Sequence, residues 1–144
     1  FGQVIKNCAG TRRKGTNETW IDSDFISAYT MLHKLGLAHS FEAWQQDVLV
    51  GGLYGVSIGE VFFGESMFAH STNASKAAFI TAVQFLKANQ FKMIDCQVGT
   101  PHLKSLGAED ISRDKFLKDL VFDVLPPSLN NQNWAHMFNE FYSK

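Results

Sequence analysis

The sequence predicts an α+β fold, a mixed and mostly antiparallel sheet flanked by helices. Three observations carry this. Apolar residues fall at helical spacing in several separate stretches. Three strand-like runs follow one another between residues 39 and 68 with only turn residues between them. A further apolar run, residues 91–98, comes after a helical stretch and ends at a turn signal, Gly99-Thr100-Pro101. The length, 144 residues, suits a single domain with a sizeable core.

In order along the chain, residues 1–9 carry a short helical pattern in Val4, Ile5 and Cys8. A polar loop spans Gly10 to Thr19. Trp20-Ile21 then lead into a second helix, with Asp22 as its N-cap and Phe25, Ala28, Tyr29 and Leu32 on one face. Gly36 stands where a C′ glycine stops a helix. The strand-like runs are 39–46, 49–58 and 60–68, an antiparallel meander with Val48 and Gly59 near its turns. Asn73 is the expected cap of a third helix with an apolar stripe of Phe79, Ala82, Val83 and Leu86. After the 91–98 strand, Pro101 suits the first turn of a short helix ending at Leu106-Gly107. Residues 108–112 are predicted to be extended, as a last strand. A helix from about Arg113 to Val124 then runs to Pro126-Pro127. The tail, 126–144, carries Trp134, Phe138, Phe141 and Tyr142 and is expected to be a packed or frayed helix.

Composition narrows the function classes. Hydrophobic residues make up 45% and charged residues 19%, an ordinary balance for a globular chain. Thirteen Phe leave room for an aromatic-lined pocket. A net charge of −1 excludes a globally basic nucleic-acid binder. The local run Arg12-Arg13-Lys14 is either a solvated loop or a phosphate contact. Two cysteines, Cys8 and Cys96, make no disulfide framework and fit a reducing compartment. No CxxC or HExxH spacing occurs, so no metal site is indicated. The apolar stretch from Leu49 to Phe68 contains Glu60, Glu65 and five glycines and is read as a β-hairpin rather than a membrane span. The chain opens without an initiator Met and without a signal-peptide pattern, and an upstream segment is expected ahead of it.

The most informative segment is MIDCQVGTPHLKSLGA, residues 93–108. Alternation along a strand would put Asp95 and Gln97 on one face and Cys96 on the other. An acid and an amide at the end of an apolar strand are either a site or a backbone-bonded strand end.

The order of elements resembles the GNAT acyltransferase fold. Seven strings then occur in sequence: TWI (19–21), AHSFEAW (38–44), LVGGLYGV (49–56), FFGESMF (62–68), NASK (73–76), DCQV (95–98) and HLKSLGA (102–108). Together they resemble the leucyl/phenylalanyl-tRNA–protein transferase family, from Phe1 to about Leu117. The resemblance implies transfer of Leu or Phe, and less well Met, from aminoacyl-tRNA to the N-terminal Arg or Lys of a protein. The product would be marked for degradation by the bacterial N-end rule pathway. It also implies a cytoplasmic, monomeric enzyme with no cofactor and no membrane contact. Residues 1–144 would be one catalytic domain, with an N-terminal domain upstream of it.

Carried onto this chain, the resemblance makes Asp95 and Gln97 the catalytic pair. The Gln97 amide oxygen would accept a hydrogen bond from the attacking amine, and Asp95 would polarise Gln97 through its NH2 or take up the proton. Glu65 would bind the aminoacyl amine or the acceptor's cationic side chain. Leu53, Phe62, Met67, Phe79, Ala82 and Ile94 would line a pocket for the transferred side chain, with Gly64, Ser66 and Val98 beside them. Each of the apolar ones could equally be ordinary core. Ala82 is smaller than the residue some relatives carry, which leaves pocket size open. Trp20 would stack on the terminal adenosine of the tRNA, or else anchor the following helix. Arg12, Arg13 and Lys14 would touch tRNA phosphate. His39, His70 and His102 are lesser polar candidates.

Two other functions compete. An acyl-CoA-dependent N-acetyltransferase would share the fold, but the segment Ala69-His70-Ser71-Thr72-Asn73 lacks the Gly-rich pyrophosphate loop that such enzymes place ahead of this helix. A non-catalytic binder of basic N-termini would use Glu65 and Asp95 alone.

Overall fold

The computed structural model describes residues 1–11, 20–120 and 134–143. The expected basic run 12–14 and residues 121–133 lie outside these described residues. The elements are α1 (Gly2–Gly10), α2 (Ser23–Lys34), β1 (Ala38–Gln45), β2 (Val48–Ile58), β3 (Val61–Ala69), α3 (Ala74–Ala88), β4 (Met93–Asp95), α4 (Pro101–Ser105), α5 (Arg113–Asp119) and α6 (Trp134–Tyr142). Four strands form one sheet in the order β1-β2-β3-β4. The first three are antiparallel neighbours, and β4 pairs parallel to β3 across the α3 crossover. The fold is α+β with a mixed sheet between helices, as the sequence predicts.

Local chemistry sets the boundaries. The Asp22 carboxylate accepts the Phe25 backbone N–H at 2.8 Å and starts α2. Gly36 ends that helix at φ 73°, with the Leu37 N–H on the Leu32 carbonyl and the Gly36 N–H on His33. Thr100 caps α4 through its hydroxyl, and Pro101 fills the first turn. The stretch mistaken most easily for a membrane span forms the β2–β3 hairpin. Among the described residues no helix is long and apolar enough to cross a membrane.

The sheet divides the core in two. On one face Val4, Ile5 and Cys8 of α1 pack with Ile21, Leu49, Tyr54 and Phe68. On the other, Phe41, Leu53 and Phe62 meet Ala78, Phe79, Ala82, Phe85 and Leu86 of α3. The aromatic face of α6 closes over this second layer, with Trp134 stacked on His39 at 3.8 Å and edge-on to Phe41. Burying each large side chain here contributes about 1.5–3 kcal/mol.

Two β-bulges decide which residue enters which layer. Ala43 pairs with Gly51 but Trp44 pairs with Leu49, so Val50 is an extra residue in β2. Tyr54 pairs with Ser66 but Gly55 pairs with Gly64, so Glu65 is the extra residue in β3. The bulge inverts the faces of β3. Phe62 and Met67, an odd number of residues apart, both turn toward α3, while Phe68 turns toward α1. Gly55 opposite the bulge has no room for a side chain, since a Cβ would lie 2.3 Å from the Phe63 carbonyl oxygen.

Three expectations are corrected. The strand expected over 91–98 is only Met93–Asp95. Asp95 folds onto the backbone N–H of Gln97, and Gln97 takes a left-handed φ of 63°, which ends the strand. Residues 108–112 form no strand. The Ala108 N–H is bonded to Leu103 in the stop of α4, and Ser112 caps α5. Asn73 stands before α3 in the left-handed region at φ 64°, with no side-chain cap bond. The tail is a packed helix over Trp134–Tyr142.

Candidate active site

The site lies where β3 and β4 part. Their last pairing is Phe63 with Asp95, and β3 continues to Ala69 while β4 stops. Gln97 lies just beyond this fork. Its Nε2 donates to the Gly64 carbonyl at 2.9 Å and reaches Glu65 Oε2 at 3.4 Å. Both partners are acceptors, so the amide must present its NH2 to them and leave Oε1 for an incoming donor.

Glu65 is aimed by the bulge and half buried. Its carboxylate accepts from Gln97 and lies near enough to the phenol of Tyr29 on α2 to act on its ionisation. Burial first, and then the hydrogen-bonded Glu65 charge, push the Tyr29 phenol up to about 12. Tyr29 therefore stays a proton donor to Glu65. The sequence reading counted Tyr29 only as part of an apolar stripe. The signal was its hydroxyl, which Phe25 and Leu32 on the same stripe lack.

Asp95 is not where the strand argument puts it. Its Oδ1 accepts the backbone N–H of Gln97 at 2.8 Å, and the Gln97 NH2 goes to Gly64 and Glu65 instead. Asp95, Cys96 and Gln97 also do not alternate faces. All three line the same cavity, because the strand has already ended. Burial and then the Asp95 charge push the Cys96 thiol pKa up, so it presents a neutral wall.

Next to the fork is a cavity of about 500 Å³. Trp20, Leu53, Phe62, Gly64, Ser66, Met67, Phe79, Ala82, Ile94 and Val98 all line it, together with Glu65 and Gln97. The sequence reading did not anticipate Tyr54, Leu86, Cys96, Thr100 and Leu103, which complete the wall. Trp20 stands at the rim, 48% exposed and held edge-on by Phe25 at 4.7 Å. Asp95 instead faces a second, adjoining cavity of about 840 Å³.

Of the three histidines, only His102 lines the first cavity. His39 is buried under Trp134 with Nε2 3.0 Å from the Gly36 carbonyl, and burial lowers its pKa to about 4. His70 Nε2 sits 3.2 Å from Asn7 Oδ1, away from the fork. Among the described residues no cluster of His, Cys, Asp and Glu could hold a metal ion.

Comparison with known proteins supplies the family. The sequence model of the family described as leucyl/phenylalanyl-tRNA protein transferase matches residues 1–121. A leucyl/phenylalanyl-tRNA–protein transferase of Hahella chejuensis is 56% identical over 124 residues, 86% of this chain and 53% of the relative. One of Anaeromyxobacter dehalogenans is 48% identical over 132 residues, 92% of this chain and 57% of the relative. One of Flavobacterium johnsoniae is 52% identical over 120 residues, 83% and 57%. The chain thus spans a little over half the length of the curated relatives it matches. With the match running through the β3–β4 fork and every element that builds the cavity, this chain belongs to the leucyl/phenylalanyl-tRNA protein transferase family.

Proposed function

We propose that this chain carries the peptide-bond-forming centre of an aminoacyltransferase, which moves Leu or Phe from aminoacyl-tRNA to the N-terminal Arg or Lys of a protein. The observation that supports it most is the Gln97 amide, pinned by Gly64 and Glu65 at the edge of an apolar cavity. The reaction is aminolysis of an ester. The nucleophile is a neutral α-amine, and such amines have a pKa of about 8, so near neutrality only modest help is needed. Gln97 Oε1 accepts an N–H of the amine and orients its lone pair toward the ester carbon. An amide has little basicity. Its oxygen gains electron density when its NH2 donates to a carboxylate, and in this geometry that carboxylate is Glu65. Asp95 holds the left-handed turn that carries Gln97, which makes it a positioning residue.

The donor side chain fills the cavity between Leu53, Phe62, Met67, Phe79, Ala82 and Ile94. Unbranched Met67 adapts to Leu or Phe, and Met is a slower third substrate of compatible shape. A pocket of this kind separates such side chains by only about 1–3 kcal/mol. Trp20 offers its exposed face to the terminal adenosine. Arg12, Arg13 and Lys14 shortly precede it in sequence and are the basic residues offered to the tRNA phosphates. The acyl-CoA alternative lacks its Gly-rich loop at residues 69–73. Cytoplasmic action in N-end rule degradation follows from the same reading.

The deciding assay uses the complete protein with labelled Phe-tRNA and peptides beginning with Arg. Transfer is expected, and saturable acetyl-CoA binding is not. Absence of transfer to any Arg or Lys acceptor would overturn the function. Peptide binding without turnover in the presence of charged tRNA would leave a mere binder of basic N-termini.

A further inference from the structure

The apolar residues of α6, Trp134, Met137, Phe138 and Phe141, recur at the spacing of one helix face, and all pack against the α3-side core. The match to the family model ends at residue 121, so this helix lies beyond the part of the chain that the model describes. It is nevertheless built against a wall of the donor cavity. Phe62 lines that cavity and is buried, with 1% of its surface exposed. Trp134 is absent from the lining and packs on Phe62, with ring centroids 6.3 Å apart.

The Phe62 ring is enclosed on its other sides too. A Cβ on Gly55 would lie 2.6 Å from its Cε1 and Cζ, so the ring tip already rests against backbone. Phe41 meets it edge-on at 5.9 Å. A ring held in this way takes its position from its neighbours, because interiors are close-packed. Trp134 is itself fixed. It stacks on His39 at 3.8 Å with the planes 9° apart, and His39 Nε2 is 3.0 Å from the Gly36 carbonyl oxygen. Phe85 at 5.4 Å and Phe91 at 6.0 Å hold the rest of the indole.

We propose that α6 sets the depth of the donor cavity: Trp134 is a positioning residue that holds Phe62 forward and so tunes which side chain is transferred. The proposal rests on the transferase reading above and deepens it, adding a specificity determinant that touches no substrate.

Volume gives the direction of the effect. Removing the indole leaves a void behind Phe62. A side chain beside a void forfeits contacts, and the surroundings relax partly into the space. As Phe62 retreats, the cavity gains depth on the substrate side. The larger Phe side chain still reaches the wall, whereas Leu loses contact with it.

The test is transfer by the complete protein from Phe-tRNA and from Leu-tRNA to one peptide beginning with Arg. Trp134→Ala is expected to raise the kcat/KM ratio of Phe over Leu about ten-fold, the lower end of what a change of one carbon in a pocket does. The change should fall on the KM for Leu-tRNA, with kcat for Phe-tRNA little altered. Calorimetry with puromycin, an aromatic aminoacyl-nucleoside, and with its leucyl counterpart should show the same shift in affinity. Trp134→Phe keeps a ring behind Phe62 and is expected to return the ratio toward wild type. Phe141→Ala controls for plain loss of packing, since Phe141 meets Phe85 at 6.2 Å from the far end of α6. It should lower the thermal midpoint and leave the ratio alone. If Trp134→Ala does not fold, Trp134→Leu opens part of the same void and is read in the same way. An unchanged ratio, or equal losses for both donors, with normal wild-type transfer, would overturn the positioning role and leave the transferase reading intact. A ratio shifted as far by Phe141→Ala would overturn it as well. Wild-type protein inert toward both donors would overturn the transferase reading and the proposal together.

Discussion

The two pairings made by β3 differ in kind. Toward β2 it is long and antiparallel, running from Val61–Ile58 to Ala69–Gly51, and fully buried residues such as Tyr54, Phe62 and Phe68 flank it. Toward β4 it is parallel and ends after three residue pairs. The first region is closed by helices on both faces. The second opens, and its last groups turn away from the ladder into cavities. A rigid ladder on one side and an abrupt stop on the other hold the same strand still while freeing a carbonyl and a carboxylate to bind Gln97. Polar chemistry is placed where pairing fails, because only there are backbone and side-chain groups free of the ladder, whereas paired residues such as Leu53 and Met67 supply the apolar wall.

If this division holds, substitutions at the fork lower turnover and those in the ladder lower stability. The largest effect is expected from Gln97→Ala. In the complete protein, transfer from Phe-tRNA should fall about a hundred- to ten-thousand-fold, the usual worth of a group that handles the proton. Its thermal midpoint should not move, since Gln97 is exposed; a large drop would blur the division. Gly55→Ala is the converse. Its Cβ must displace backbone, so unfolding in urea should show a loss of about 3 kcal/mol, with kcat of the surviving folded enzyme little changed.

His39 sharpens the contrast through pH. Burial depresses its pKa from the ordinary 6.5 to about 4, so the folded state resists a proton that the unfolded chain accepts. The associated stability is held above pH 6.5 and lost as pH falls through that window toward about 4, by up to about 3 kcal/mol. Thermal midpoints of wild type and His39→Phe should diverge in slope between pH 7 and 4, the variant being flatter. Equal slopes would show that His39 carries no such penalty. The smallest effect is expected from Tyr29→Phe, which reaches the fork from α2. Removing its bond to Glu65 should cost about ten-fold in kcat, in the range of hydrogen bonds to charged groups, with puromycin affinity unchanged. A pure stability loss would place Tyr29 with the ladder.

What the sequence made legible follows the same line. The meander was readable because alternation and turn residues agree over β1 to β3, and α2 because Asp22 and Gly36 mark both ends. The β4 strand was over-extended, since the pattern from Phe91 onward gives no warning that Asp95 bonds two residues ahead and breaks the ladder. Asp95 and Gln97 were paired by strand alternation and are in fact joined through a turn. Tyr29 was invisible because its partner is remote in sequence. The lining residues came from the family resemblance, and spacing alone argued against two of them. Phe62 and Met67, five apart, belong on opposite faces of any regular strand.

The extra residue that reconciles them has a consequence for how such a chain tolerates deletion. Glu65 has no register partner in β2. Remove it and β3 pairs regularly with β2 while every other side chain keeps its layer: Met67 stays on the α3 side and Phe68 under α1. The phase of the strand is therefore indifferent to this residue, and what a deletion takes away is the carboxylate at the fork. A substitution such as Glu65→Gln removes its charge alone, whereas a deletion also flattens the bulge that aims the residue at Gln97. Loss of length at this one position is open to the fold and closed only by the chemistry.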